Sequence, residues 1–237
     1  MTHVCNRSHT AQPTIKKMTR RVVITGCSAL TPAGHGKHDI LEHLTKGTSG
    51  VKKLKHDALY AKYIDAGVFG SVDYRVDYDF RRRDRKTMGP VSYYACQVAK
   101  EALAMAGPGE AFITSGRMGV AFGSTHGSPL VQRALYRALF DDTYPGYSSI
   151  KASDYLKFMV HTTAVNITKM FGITGRVISS CTACTTSSQS IGFGYEMIKY
   201  GMQDAMLCGG ADEYDMSTVA VFDNLMACST EYNETPH

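Results

Sequence analysis

Residues 176–200 read Arg176-Val-Ile-Ser-Ser-Cys181-Thr-Ala-Cys184-Thr-Thr-Ser-Ser-Gln189-Ser-Ile191-Gly-Phe-Gly-Tyr195-Glu-Met-Ile198-Lys199-Tyr200. The short run 176–180 is apolar and β-branched at its centre, the composition of a buried strand. A tight turn of small residues interrupts it, and the pattern resumes with Ile191, Tyr195 and Ile198 on one helical face. Cys184 falls where that helix should begin. Amides at a helix start lack partners within the helix and lie at the positive end of its dipole, which favours a thiolate. Ionisation of that kind turns an inert thiol into a nucleophile. Strand, sharp turn and nucleophile at a helix start make up the logic of an acyl-transfer elbow.

The alternation continues on both sides. Upstream, 21–25 (Arg-Val-Val-Ile-Thr) reads as an apolar strand closed by Gly26, and 39–46 as a short helix. A possible strand at 66–69 lies in a charged, irregular stretch. Residues 88–106 carry a long helical pattern, with Val91, Ala95, Val98, Ala102 and Met105 facing one way, and Gly107-Pro108-Gly109 stops it. A strand follows at 118–122, a helix at 129–140 and a loop at 141–149. A second long helix is predicted over 154–170, capped by Ser153 and ended at Gly172. After the nucleophile helix at 184–200 come a strand at 205–208, Gly209-Gly210 and a helix over 218–226. Apolar strands separated by helices imply a parallel or mixed sheet covered on both faces, hence an α/β fold.

The 237 residues allow one large domain or two small ones. A hydrophobic content of 43% with 20% charged residues is that of a globular domain. The net charge of +5 is mild and its cations are dispersed, which argues against a nucleic-acid groove yet suits an acidic protein partner. Only 52–55 and 81–86 cluster, and each reads as a solvated face. No stretch approaches the roughly 18 apolar residues of a membrane span. The N-terminal residues are polar without an apolar core, so 1–19 is expected to be a disordered tail ahead of one domain at 20–237, with Met18 a candidate start. Seven cysteines, an odd number with no secretory signal before them, fit a cytoplasmic location. Cys27, Cys96 and Cys208 read as small core residues.

Spacing alone leaves several chemistries open. Cys181 and Cys184 form a Cys-x-x-Cys pair, but a redox motif of that type belongs early in a small βαβ domain. Zinc needs a second ligand pair, and Cys208 and Cys228 stand alone. Tyr195 and Lys199 have the Tyr-x-x-x-Lys spacing of short-chain dehydrogenases that use nicotinamide cofactors. A dinucleotide turn, however, needs glycines where Leu30 and Pro32 stand; Gly34 and Gly36 come too late. The remaining reading is a small-residue packing turn with an inert cysteine.

The segment from Thr182 through Cys184 and Gln189 to Gly192 resembles the nucleophile segment of beta-ketoacyl-acyl-carrier-protein synthases, condensing enzymes of the thiolase fold, and looks closest to the synthase II type. Other segments share the resemblance in the right order. Residues 21–26 with Leu30-Thr-Pro32 and Gly34 resemble the family's opening strand and turn. Val165-Asn166 before Gly172 and Gly175 resembles the approach to the nucleophile strand. Gly201 through Gly209-Gly210-Ala211-Asp212 resembles the strand and glycine pair beyond the nucleophile helix. Gln189 and Tyr195-Glu-Met-Ile198 hint at a subgroup making polyene-type chains.

The resemblance implies a thiolase-like fold, layered α/β/α around a mixed five-stranded sheet, of which this chain is the N-terminal half. It implies Cys184 as the catalytic nucleophile of a 3-oxoacyl-[acyl-carrier-protein] synthase acting in fatty-acid, polyketide or polyene-type elongation. The Cys184 amide would be one oxyanion donor. The family's two active-site histidines, lysine and glycine-phenylalanine loop belong to the second half, and none of the nine histidines here has a matching context. His126 and His161 read as surface or packing residues. The implied partner is an acyl carrier protein, whose own 4'-phosphopantetheine arm delivers the acyl group, so no metal or other cofactor is expected. A homodimer, or a heterodimer with a related synthase subunit, is expected to form through 124–170. Apolar surface should be bare where the second half docks. A non-catalytic fragment or partner subunit is the alternative from another class.

Overall fold

The computed structural model of the chain describes residues 19–53, 63–72, 80–141 and 146–236. The axis of the fold is strand β5 (Met118–Gly123), buried along its whole length. Its side chains alternate by size, with Met118, Val120 and Phe122 on one face and Gly119, Ala121 and Gly123 on the other. The large face enters the main core with Ala95, Cys96, Ala99 and Leu103 of α3 (Pro90–Ala106) and Ala164 and Ile167 of α7 (Thr162–Phe171). The small face lets α8 (Thr186–Lys199) lie close. A Cβ placed on Gly194 of α8 would come 2.1 Å from the Sγ of Cys208 on the neighbouring strand, so only glycine fits that crossing. The result is three layers, with α8 on one side of the sheet and α7 backed by α3 on the other.

Strands β6 (Val177–Ser180) and β7 (Ala205–Gly210) flank β5, both parallel to it. Val120 pairs with Val177 on one side and with Leu207 on the other. Two antiparallel ribbons stand apart from this sheet. In one, β1 (Leu30–Thr31) and β2 (Gly34–His35) lead into α1 (Gly36–Lys46); in the other, β3 (Lys52–Lys53) pairs with β4 (Val68–Phe69). Short helices α2 (Arg82–Arg85) and α4 (Glu110–Ile113) bracket α3. Helix α5 (Pro129–Phe140) follows β5, α6 (Ala152–Phe158) precedes α7, and α9 (Met216–Asn224) follows β7.

The α/β class stands, with two corrections and one gap. The expected five-stranded mixed sheet is a three-stranded parallel one among the described residues. Two expected members are outside it: the possible strand at 66–69 survives only as β4 in its separate ribbon, and 21–25 has the composition of a strand but joins no ladder among the described residues. The neighbourhood of 21–25 is made instead by α3 and the end of α8. The Cys27 amide points at Met105 Sδ (3.4 Å), Ser28 donates to Glu101, and the Arg20 amide donates to the Lys199 carbonyl (3.0 Å). Val23 and Ile24 stay 57% and 87% exposed, and Cys27, read as a core residue, is exposed as well. The expected tail lies outside the described residues except for Thr19.

The second correction concerns the helix predicted over 154–170, which is broken into α6 and α7. Met159 is extended, with ψ of 132°. The Phe158 carbonyl leaves the helical ladder and accepts the Ser128 amide at 3.3 Å. Gly127, at φ of 65°, passes so close to that carbonyl that a Cβ would sit 1.9 Å from its oxygen. The start of α6 is held by Asp154, not Ser153, its carboxylate accepting the Lys151 amide at 3.1 Å. Past the break, buried Asn166 pins α7 to the approach to α3. Its Nδ2 donates to the Thr87 carbonyl (2.9 Å) and Ser92 Oγ (3.1 Å), and its Oδ1 accepts from the Thr87 hydroxyl (2.7 Å).

Candidate active site

Strand β6 delivers the chain to its turn through buried Ser180, whose hydroxyl lies 2.6 Å from that of Ser190 on α8. Thr182 leaves extended geometry (φ −134°, ψ 41°), and Ala183 turns left-handed with φ of 49°. A left-handed non-glycine residue costs about 1–2 kcal/mol and persists only where its surroundings hold it. Ala183–Thr185 then form a single 3-10 turn, and α8 begins at Thr186. Thr186 closes the structure from the helix side. Its hydroxyl oxygen accepts the Thr182 amide at 2.8 Å, and its proton goes to the Ala183 carbonyl at 2.8 Å.

Cys184 therefore stands in the one-turn lead-in to α8, fed directly by a parallel strand, and it is exposed. The amide bonds of this turn come from Thr185 to Thr182 (3.1 Å) and from Thr186 to Ala183, so none of them uses the Cys184 amide. Cys181 is also exposed, and its thiol points at the Thr125 carbonyl oxygen at 3.6 Å. The helix predicted to start at 184 thus begins two residues later. The turn is tighter than its sequence shows because Thr186 spends its side chain on the backbone.

Sequence reading missed the carboxylates that organise the ends of the strands. Asp212 accepts from Ser124 Oγ (2.9 Å), the Thr125 amide (2.8 Å) and Thr125 Oγ1 (3.2 Å), tying the loop after β7 to the loop after β5. Buried Glu213 accepts the Val91 amide at 3.1 Å and the Leu130 amide at 2.9 Å. Those amides are the first available donors of α3 and α5, since each helix opens on a proline. Burial pushes the Glu213 carboxyl up, opposed by the hydrogen bonds from Leu130, Ser128 and Val91. Asp215 caps α9 through the Ser217 amide (3.0 Å) and pairs with Arg133 at 3.1 Å. The signal available was three acidic residues in four positions, one residue after a strand that ends in two glycines.

The other sequence candidates do not converge on Cys184. Lys199 Nζ sits 4.9 Å over the Tyr195 ring, a surface cation–π pair with Tyr195 exposed, so the dehydrogenase spacing is a contact along one helix face. Cys96 is buried and Cys208 faces α8; burial pushes their thiols up to about 12 and about 11. His126 and His161 are both exposed. Among the described residues no three His, Cys, Asp or Glu side chains gather into a metal-binding group. No helix of the described residues is long and apolar enough to cross a membrane.

A parallel three-layer α/β core with a cysteine on the strand-to-helix turn defines a class of protein that presents a thiol at the edge of its sheet. Comparison with known proteins narrows the class. The family model of the beta-ketoacyl synthase N-terminal domain matches residues 19–236, and the chain belongs to that family. It is 30% identical over 217 residues to 3-oxoacyl-[acyl-carrier-protein] synthase 1 of Haemophilus influenzae, covering 92% of this chain and 52% of the relative. A synthase 2 of Vibrio harveyi is 30% identical over 217 residues, covering 91% and 51%, so both types are represented. A beta-ketoacyl synthase from Burkholderia phymatum superimposes with a TM-score of 0.82 at 36% identity, covering 91% of this chain and 52% of that one. The ketosynthase AntDE, solved with the acyl carrier protein AntF, shares the fold at a TM-score of 0.77 and 24% identity, covering 92% and 52%. The chain spans about half the length of the curated relatives it matches.

Proposed function

We propose that this chain is the nucleophile-bearing half of a 3-oxoacyl-[acyl-carrier-protein] synthase, an acyltransferase, with Cys184 as its catalytic residue. The observation that carries the reading is the position of Cys184, exposed on a strained turn between β6 and α8. Cys184 Sγ attacks the thioester carbonyl of an acyl group on a carrier protein, and the carrier's thiol leaves. The acyl-enzyme splits a difficult carbon–carbon bond formation into two easier steps. A malonyl group on a second carrier then loses carbon dioxide, and the resulting carbanion attacks the acyl carbonyl and expels Cys184. The Cys184 amide, unused by the turn's own bonds, supports an oxyanion donor role; one such donor is typically worth about 2.7–4 kcal/mol of barrier.

The partner reading rests on charge. Arg81, Arg83 and Lys169 gather around buried Asp84 at 2.8, 3.8 and 3.9 Å, and exposed Arg82 and Lys86 extend the same basic face. An acidic carrier protein suits that face. Exposed Leu130, Tyr136, Leu139, Phe140, Tyr147 and Tyr155 support a subunit interface along α5 to α6. Val23, Ile24, Ile191, Val221 and Leu225 are exposed apolar residues of the kind a second half would cover. Free thiols at all six described cysteines suit a cytoplasmic location.

Mass spectrometry after exposure to an acyl-carrier thioester, or to a thiol-directed condensing-enzyme inhibitor, tests the reading. Modification of Cys184 and not of the other cysteines is the expected result. Uniform or absent modification would leave the chain an inert fragment.

A further inference from the structure

The loop that follows β5 meets the nucleophile turn at two points, and one residue makes both contacts. The Thr125 carbonyl oxygen faces the Cys181 thiol at 3.6 Å, while its hydroxyl lies 3.3 Å from the Ala183 carbonyl oxygen. Thr125 thus grips the turn on either side of Thr182, immediately ahead of Cys184. It is itself anchored by Asp212, which accepts its amide at 2.8 Å and lies 3.2 Å from its hydroxyl. The bonds from Thr186 run within the helix start and tie the turn only to itself. Those from Thr125 tie it to the ends of the two neighbouring strands. A threonine hydroxyl has one proton, so Ala183 and Asp212 share it, each at more than the usual O–H···O length of about 2.7–2.8 Å.

We propose that Thr125, oriented by Asp212, is a positioning residue that holds Ala183 left-handed and so fixes where Cys184 presents its sulfur and its amide. Relaxation of Ala183 toward the right-handed region would rotate every atom that follows it, beginning with Cys184. The inference rests on Cys184 being the nucleophile proposed above.

The test is site-resolved alkylation of the full chain by iodoacetamide at fixed pH, read as the rate at Cys184 relative to exposed Cys27. Thr125→Val removes the hydroxyl at nearly constant shape, and Thr125→Ser restores it. The Cys184/Cys27 ratio is expected to fall roughly fivefold in Thr125→Val, the factor one ordinary hydrogen bond represents, and to recover in Thr125→Ser. Asp212→Ala, which also frees the Thr125 amide, should lower the ratio at least as far, and the double variant no further than Asp212→Ala alone, because Asp212 acts on the turn through Thr125. Protection of buried Cys96 reports that each variant is folded, and should Thr125→Val expose it, Asp212→Ala carries the test. An unchanged ratio in the folded variants, or equal loss in Thr125→Ser, overturns the positioning role alone. If wild-type Cys184 reacts no faster than Cys27, the assignment of the nucleophile itself fails.

Discussion

Strands β5 and β7 are nearly the same object in sequence, six apolar or small residues ending in glycine, and they run parallel in register from Met118 opposite Ala205 to Gly123 opposite Gly210. Yet β5 is buried at every position and β7 is half-exposed at every position. The difference lies in their neighbours. β5 has a ladder on both edges, while among the described residues β7 has one only toward β5. Segment 21–25 extends the contrast, for it is as apolar as either strand and begins beside β7, through Arg20 with Asp204, without joining a ladder. Burial here is a property of where a strand is placed, and the half-exposed edge lies on the side where apolar residues stay uncovered.

The largest expected consequence is in stability. Phe122 on β5 is 4% exposed and lies in the main core, so Phe122→Ala should cost about 3–5 kcal/mol. Leu207 on β7, opposite Val120 of β5, is half-buried, and Leu207→Ala should cost less than about 2 kcal/mol, below the range for a fully enclosed leucine. Urea unfolding of the two variants measures both. Equal costs would mean that the outer edge of β7 is covered in solution, and concentration-dependent midpoints would identify association as the cover.

Thiol chemistry separates the α8-covered face of β7 from open surface elsewhere on the chain. Cys208 faces α8 across Gly194, and burial pushes its thiol up to about 11. A thiol held that high carries little thiolate near neutral pH, and α8 also shields it from reagent. Alkylation of the native chain should therefore reach exposed Cys27 more than about tenfold faster than Cys208. Comparable rates would show that α8 is not seated on the sheet as described.

Legibility in the sequence followed the range of the forces involved. Helix α5 matched its predicted span because its signals, a proline at the first position and apolar residues at helical spacing, are local. The strand, turn and helix around Cys184 were legible for the same reason. The break between α6 and α7 was not, because it comes from Ser128 taking the Phe158 carbonyl, and no glycine or proline at 159–161 announces it. Nor did spacing show the role of Glu213, which accepts helix-start amides 122 and 83 residues away. The ladder expected for 21–25 failed for a third reason: composition gives a segment the capacity to pair, and pairing also needs an edge within reach.

Glu213 offers the finest probe of how the loop after β7 is tied to the β5 side. Its two oxygens each face a helix-start amide, so Glu213→Gln puts an amide donor against a donor at Val91 or Leu130. One unsatisfied buried pair should cost about 1–3 kcal/mol, less than emptying the core at Phe122. The pH dependence follows from the direction of the shift. Burial raises the Glu213 carboxyl in the folded chain above its unfolded value, so the folded state resists ionisation. The stability this group contributes is fully present below the ordinary glutamate range and is lost as pH rises through the raised value. The Gln variant cannot ionise, so that component should vanish. Its deficit against wild type, measured by urea midpoints from about pH 4 upward, should accordingly shrink as pH rises. A deficit that grows with pH instead would mean that the two amides favour the carboxylate more than burial opposes it, making the helix starts the stronger influence on this residue.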